Sequence, residues 1–327
     1  MVLGTAASMD GYAAFGASIL RNGSKDTMEC AGPRAILADL EVIGRAPAGL
    51  NSSGYADLLA KVPAGADWIV AHAAGVEPIV KPVWDTVQGF LRSWVGAPSS
   101  ILQNEPAPLA HLTNGLVMSG LAMQEMLSSR PASGAEHQFS HLWDMQQHTY
   151  LGQAPSHGFK VGIGTLASIA LFEDLLLRDI RHLDIDAAVS AWPSLEAHQR
   201  RILDLFGPGG LARRAEEETR AKYIGGDALR EQLIRLREAW EGLRVALRAQ
   251  LLPFRQVHRM LAEAGCPSDP GQIGISRTRL RVAYEQCCYL RRRFTVLDFA
   301  HRLGILQPAL DNLFGPRGAW SGTAGDE

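Results

Sequence analysis

Apolar positions recur at helical spacing along most of the chain. Residues 109–127 and 158–177 carry long apolar stretches, the first seeded with small residues at Gly115, Ser119, Gly120 and Ala122. Both predict core helices, because small residues let neighbouring helices approach closely and a helix apolar all round is buried. Helical periodicity also marks 67–74, 83–94, 134–145, 195–205, 228–251, 280–290 and 296–303. Asn51, Ser52 and Ser53 are candidate caps for a helix carrying Tyr55, Leu58, Leu59 and Val62, and Asp227 for the long Arg/Glu-rich helix after it. Strand patterning is confined to the N-terminal end. Val2-Leu3 reads as the end of a strand, 5–11 as the loop leaving it, and 34–43, with Ile36, Val42 and Ile43, as a second strand. The pattern predicts a mainly α protein with a short α/β piece over 1–46 and a helical domain over 47–316. The Gly/Ser/Asp-rich tail 317–327 is expected to be disordered.

Composition narrows the class. At 46% hydrophobic and 20% charged, the chain is not of the intrinsically disordered kind. A net charge of -2 gives no basic excess for nucleic acid. No apolar run reaches the roughly 20 residues of a membrane span, and no secretory leader pattern opens the sequence. The four cysteines, Cys30, Cys266, Cys287 and Cys288, contain no CxxC pair and suit a reducing, cytoplasmic setting.

Candidate chemistry is concentrated in 128–165, which holds His137, His141, His148 and His157 with Glu136, Asp144 and Lys160 among them. His137 and His141 are four apart and share a helix face. Two histidines and a carboxylate would make a catalytic metal site with an open position; equally, an i, i+4 histidine pair can be an accident of packing. The pattern does not choose the carboxylate. Asp57, in SGYADLLAK (53–61), is either such a group or an acid favoured by the helix dipole. In TAASMDGYAA (5–14), small and hydroxyl residues such as Thr5 and Ser8 would let backbone approach a ligand, with Asp10-Gly11 as a turn. The alternative there is an ordinary β-to-α loop.

Taken in order, TAASMDGYA, SGYADLLAK with ADW (66–68), NGLVMSGLAM (114–123), SSRPASGAEHQFSHLW (128–143), HGFKVGIGT (157–165) and RRRFTVLDFAHRLGIL (291–306) resemble the sn-glycerol-1-phosphate dehydrogenase family. That family sits within the iron-containing alcohol dehydrogenase and dehydroquinate synthase-like superfamily. The resemblance implies a helical metal-binding domain preceded by the remnant of an α/β nucleotide-binding domain. It implies a metal on Asp57, His137 and His157: zinc, with iron or nickel as alternatives. It also implies NAD or NADP as cofactor, and reduction of dihydroxyacetone phosphate to sn-glycerol 1-phosphate. Asp10 resembles the family's acid near nicotinamide and substrate, and Thr5 and Ser8 resemble its cofactor-loop residues. His141 and Lys160 are candidate substrate contacts, His141 also a candidate catalytic group and Lys160 a phosphate partner on chemical grounds. Against these stand an orienting role for His141 and a plain surface charge for Lys160.

One departure matters. The family's Gly-rich, pyrophosphate-binding turn precedes the TAASMDG segment, which here begins at residue 5. Neither GFKVGIG (158–164) nor GPGG (207–210) follows a strand and opens a helix, as such a turn requires. Most of the dinucleotide-binding half is therefore expected to be missing, with the strands at 1–5 and 34–43 left as edges that favour association, including a homo-oligomer. The expected partner is a small phosphorylated molecule. Two other readings stay open: a sugar-phosphate cyclase of the dehydroquinate synthase type, against which SRPASGAEH argues, and a non-catalytic metal-binding remnant.

Overall fold

The computed structural model describes residues 1–21, 24–28 and 30–322. Four short strands form two separate pairs. Strand β1 (Val2–Gly4) runs parallel to β4 (Ile36–Ala38), with Val2 opposite Ile36. Strands β2 (Ala17–Arg21) and β3 (Ser24–Met28) are antiparallel, with Ala17 opposite Met28. The remaining regular elements of the described chain are helices, joined by turns and loops. The first group is α1 (Leu40–Gly44), α2 (Ala48–Leu59), α3 (Lys61–Ala73), α4 (Lys81–Gln88), α5 (Leu91–Trp94), α6 (Pro98–Leu102) and α7 (Pro106–Met126). Next come α8 (Ala135–Met145), α9 (His157–Leu176), α10 (Ile185–Ala191), α11 (Leu195–Phe206), α12 (Gly210–Lys222) and α13 (Gly226–Gln250). Last are α14 (Phe254–Glu263), α15 (Arg277–Leu290), α16 (Val296–Arg302) and α17 (Leu306–Leu313). The architecture is the mainly helical one expected.

Helix α9 is the axis of the core. It is buried on nearly every face, from Gly158 to Leu175, and packs against α2, α8, α14 and α17. A helix apolar all round has no solvent stripe to offer, so neighbours must enclose it. Close approach at its start depends on a glycine. A Cβ on Gly158 would lie 1.8 Å from the Ser53 carbonyl oxygen of α2, while the Gly158 amide donates to Ser53 Oγ at 3.1 Å. Of the described helices, none is long and apolar enough to cross a membrane.

Several local expectations are corrected. The strand expected over 34–43 ends at Ala38. There Asp39 Oδ1 accepts from the amides of Glu41 (2.8 Å) and Val42 (3.3 Å) and starts α1, a cap worth about 1 kcal/mol. The β2–β3 pair was not foreseen. Asn51, Ser52 and Ser53 do not cap a helix; they lie buried inside α2, which begins at Ala48. Asp227 is not an N-cap either, since Gly225 holds that place and Asp227 sits within the first turn of α13. The helix expected over 83–94 divides into α4 and α5. Of the tail expected to be disordered, 323–327 lie outside the described residues; within 317–322, Ala319 and Trp320 pack on the core while Arg317, Ser321 and Gly322 are exposed. Trp320 is 1% exposed and donates from Nε1 to the Tyr284 hydroxyl at 3.2 Å. An indole is a large apolar payload with one polar handle, and here both are used.

Away from α9, His198 and His301 meet at right angles, ring centroids 5.3 Å apart, amid Trp192, Tyr223 and Tyr289. Burial, with Lys222 nearby, pushes His198 down to about 4; burial, then His198 and Lys222, pushes His301 to about 3. A depressed histidine stays neutral in the fold while the unfolded chain protonates near its ordinary value of about 6.5. Stability is therefore expected to be unaffected by these rings above about pH 6.5 and to fall as pH drops toward 4. Thermal melts at about pH 7 and about pH 5 should show a smaller acid loss for His198→Phe than for the parent chain; equal losses would refute the assignment.

Candidate metal centre and active site

Asp57 lies in the third turn of α2, wholly buried, far from the helix N-terminus where a dipole would explain it. His137 stands in the first turn of α8, and His157 opens α9. The packing of α9 on α2 and α8 brings one ligand atom from each of the three within 4.8 Å of one another. Asp57 Oδ1 lies 3.3 Å from His137 Nε2. The other nitrogen of that ring, Nδ1, lies 2.8 Å from Glu136 Oε1, which fixes the ring's orientation. A carboxylate behind a metal-ligating histidine is the usual device for setting tautomer and basicity. His157 Nδ1 is 3.3 Å from Ser140 Oγ. Three nitrogen and oxygen donors from three helices fit a divalent metal.

The rest of the cluster is held by charge. Lys61 Nζ, fully buried, is 2.8 Å from both Asp57 Oδ1 and Asp10 Oδ2. The Asp10 amide donates to Asp57 Oδ2 at 3.0 Å, and Ser119 Oγ of α7 donates to Asp10 Oδ2 at 2.8 Å. Burial would raise the Asp57 carboxyl, but Lys61 and the hydrogen bond from His137 hold it well below the usual carboxylate range. Burial and the charge of Asp57 push Asp10 up, with Lys61 opposing. Burial would lower Lys61, yet the two aspartates raise it above its ordinary value. Burial also opposes His137, which Asp57 and Glu136 raise through hydrogen bonds. Lys61 was not singled out from sequence, although it stands four residues after Asp57 as that metal candidate's natural partner; Glu136 was noted only as a carboxylate among the histidines, and Ser119 only as a small residue of a core helix.

The other predicted residues fall at varying distances from this centre. Asp10 joins it through Lys61 and Asp57. His141 stands one turn beyond His137, with ring centroids 6.3 Å from His137 and 6.5 Å from His157, at the edge of the ligand cluster. Thr5 is exposed and Ser8 half-buried on the loop after β1, and neither makes a described hydrogen bond to the cluster. That loop is fastened instead at Ala7, whose amide donates to Asn51 Oδ1 at 3.1 Å. Lys160 points away: its ammonium pairs with Asp144, two turns beyond His137 on α8. His148 is spent on the Ile273 carbonyl at 2.6 Å.

This chain is related to known dehydrogenases. The family model for iron-containing alcohol dehydrogenases matches residues 1–47. The glycerol-1-phosphate dehydrogenase [NAD(P)+] of Halalkalibacterium halodurans is 34% identical over 202 residues, covering 62% of this chain and 50% of that protein. That of Methanothermobacter thermautotrophicus is 33% identical over 230 residues, covering 65% and 64%. The chain spans about half the length of the first of these relatives. A probable glycerol dehydrogenase from Sinorhizobium meliloti 1021 superposes with a TM-score of 0.51 at 14% identity, over 94% of this chain and 70% of that one, which shows a shared fold.

Two predictions follow from the geometry. Asp57→Ala and His137→Ala are expected to abolish bound divalent metal, and Glu136→Ala to weaken it about 10–100-fold; elemental analysis after gel filtration reads all three, and full metal occupancy in the first two would sink the ligand assignment. Gly158→Ala should also strip the metal, because the added methyl must push the start of α9, with His157, away from Ser53. Retained metal in a folded Gly158→Ala chain would show that His157 is not required.

Proposed function

We propose that the protein is a metal-dependent, NAD(P)-linked oxidoreductase that reduces dihydroxyacetone phosphate to sn-glycerol 1-phosphate. The observation that carries this reading is the convergence of Asp57, His137 and His157 beside the buried Asp10–Lys61 pair. The names of the relatives, glycerol-1-phosphate dehydrogenase [NAD(P)+], support the substrate and the cofactor. Zinc suits two imidazoles and a carboxylate, and iron or nickel would fit the same donors.

Bound there, a divalent metal would act as a Lewis acid on the ketone oxygen and stabilise the negative charge that develops on it during hydride transfer. The chain's own residues do the remainder. Glu136 fixes the His137 ring, so that Nε2 faces Asp57. Lys61 keeps Asp57 ionised as a ligand. Asp10, paired with Lys61 and accepting from Ser119, would hold the loop where nicotinamide and substrate meet, and the proton for the new alkoxide would come from solvent. His141, at the rim, is placed to orient the substrate's hydroxyl end. Thr5 and Ser8, on the same loop as Asp10, would face the cofactor. The four thiols are unpaired, in keeping with a cytoplasmic setting.

The decisive test uses the zinc-loaded chain. Titration with NADPH and NADH should quench or shift nicotinamide fluorescence, and added dihydroxyacetone phosphate should be consumed faster than unphosphorylated dihydroxyacetone. Metal uptake with no nicotinamide binding would support a non-catalytic metal-binding role instead, and equal rates with the two ketones would remove the phosphate from the reading.

A further inference from the structure

Next to the metal centre lies a cavity of about 370 Å³, near the small end of the range for ligand pockets. His137, one of the three candidate ligands, and His141 form part of its wall, so the cavity reaches the cluster on the α8 side. The wall also carries three consecutive arginines, Arg291 to Arg293, from the segment between α15 and α16. Its two acids are already engaged: Glu77 lies 3.1 Å from Arg130, and Glu218 lies 3.0 Å from Arg292. Arg293 has no carboxylate partner among the described residues. Its guanidinium donates to the Ser133 carbonyl at 2.8 Å, to Ser133 Oγ and to Ser129 Oγ at 2.8 Å, all neutral oxygens. Burial and then the neighbouring Arg130 pull it down to about 9, with the charges of Glu77 and Glu136 opposing.

A second, independent feature points into the same cavity. Gln138, on α8 between His137 and His141, is 2% exposed and lines the pocket, yet neither its amide nitrogen nor its oxygen has a hydrogen-bond partner. Buried amides are almost always satisfied, and an orphan lining a cavity is ready for a ligand's polar groups. A guanidinium fork matches a phosphate bidentately, and an amide beside it can serve a hydroxyl or a phosphate oxygen.

We propose that this cavity seats the phosphate end of a small phosphorylated ketone or polyol, with Arg293 as the phosphate contact and Gln138 as the second polar contact. The proposal rests on the oxidoreductase reading above and moves the phosphate site away from Lys160. Lys160 does not line the cavity, and its charge is taken up by Asp144. The cavity also orders the substrate: the phosphate at the arginines leaves the carbon to be reduced on the side of His137.

Calorimetric titration of the zinc-loaded chain tests it, with inorganic phosphate, sn-glycerol 1-phosphate and glycerol as probes. The two phosphates should bind and glycerol should not. Arg293→Gln should weaken both phosphates at least about tenfold, with zinc content and melting temperature unchanged. Gln138→Leu supplies a second variant that is expected to fold, because an apolar side chain of similar shape replaces an unsatisfied amide; it should weaken sn-glycerol 1-phosphate binding as well. Unchanged affinity in both variants overturns the proposal, as does loss of binding in Lys160→Gln with Arg293→Gln unaffected. Phosphate binding that depends on Arg293 upholds the pocket even where no NADPH is consumed, a result that would count against the oxidoreductase reading alone. Turnover of dihydroxyacetone phosphate with the same KM in Arg293→Gln would leave that reading standing and remove the pocket.

Discussion

The Asp57 carboxylate is the interaction on which the site depends. It is fully buried, and every oxygen is committed: Oδ1 to Lys61 and His137, Oδ2 to the amide of Asp10. Removing one member of a buried charge set leaves an uncompensated ion, at a cost of about 3–5 kcal/mol. Asp57, Lys61 and Asp10 therefore fix one another, and with them the relative placement of α2, α3 and the loop after β1. The cluster is also unbalanced. Asp10 and Asp57 share the single ammonium of Lys61, and burial, then the charge of Asp57, pushes Asp10 up. A divalent cation is the counter-charge that such a set accommodates, which is why the geometry and the electrostatics lead to the same chemistry.

Helix α2 is organised around this constraint more than around amphipathicity. Polar residues within it act as sockets. Asn51 Oδ1 accepts from Ala7, while its Nδ2 donates to the Ile43 carbonyl at 3.1 Å; Ser53 Oγ accepts from the Gly158 amide near the start of α9. Gly54 lets the loop lie directly on the helix, since a Cβ there would fall 1.8 Å from the Ala7 carbonyl oxygen. These contacts carry no hydrophobic gain, but each satisfies a backbone group that the crossing would otherwise bury unpaired. The result is that the three candidate ligands, from three helices, and the loop carrying Asp10 meet within one hydrogen-bonded frame.

That logic explains what could and could not be read in the sequence. The long helices were legible because apolar periodicity is a local property, and α7, α8, α9, α13 and α15 lie close to where it put them. Helix α12 was not, because GLARRAEEETRAK is so polar that only Ala212, Ala215 and Thr219 are buried. Asn51 to Ser53 look like caps by composition, but their role depends on what crosses α2, which no window of sequence contains. Asp57, His137 and His157 could be named only through the resemblance of their surrounding motifs; spacing by itself left the carboxylate open. Lys160 shows the converse. A lysine three residues from a ligating histidine is an attractive phosphate contact until the helix turn carries it to Asp144.

Charge separation across the site gives the arrangement its direction. The metal centre gathers carboxylates, while Arg291 to Arg293 on the adjoining cavity wall supply cations, with Arg130 buried behind them. Asp67 keeps the two regions in register. Its Oδ2 accepts from the Ala135 amide that opens α8, and its Oδ1 from the Val296 amide that opens α16, each at 2.6 Å. Burial and then the charge of Glu136 push that carboxyl up to about 8, whereas the two amides and Arg130 favour the ion. One side chain thus ties the helix bearing His137 to the helix that follows the arginines, so that neither end of the cavity can shift alone. With a divalent metal on the candidate ligands, a molecule with a carbonyl at one end and a dianion at the other would meet complementary charge at both, whereas the reverse orientation would bring its phosphate toward Asp10 and Asp57. Orientation in such a site follows from avoided repulsion as much as from attraction.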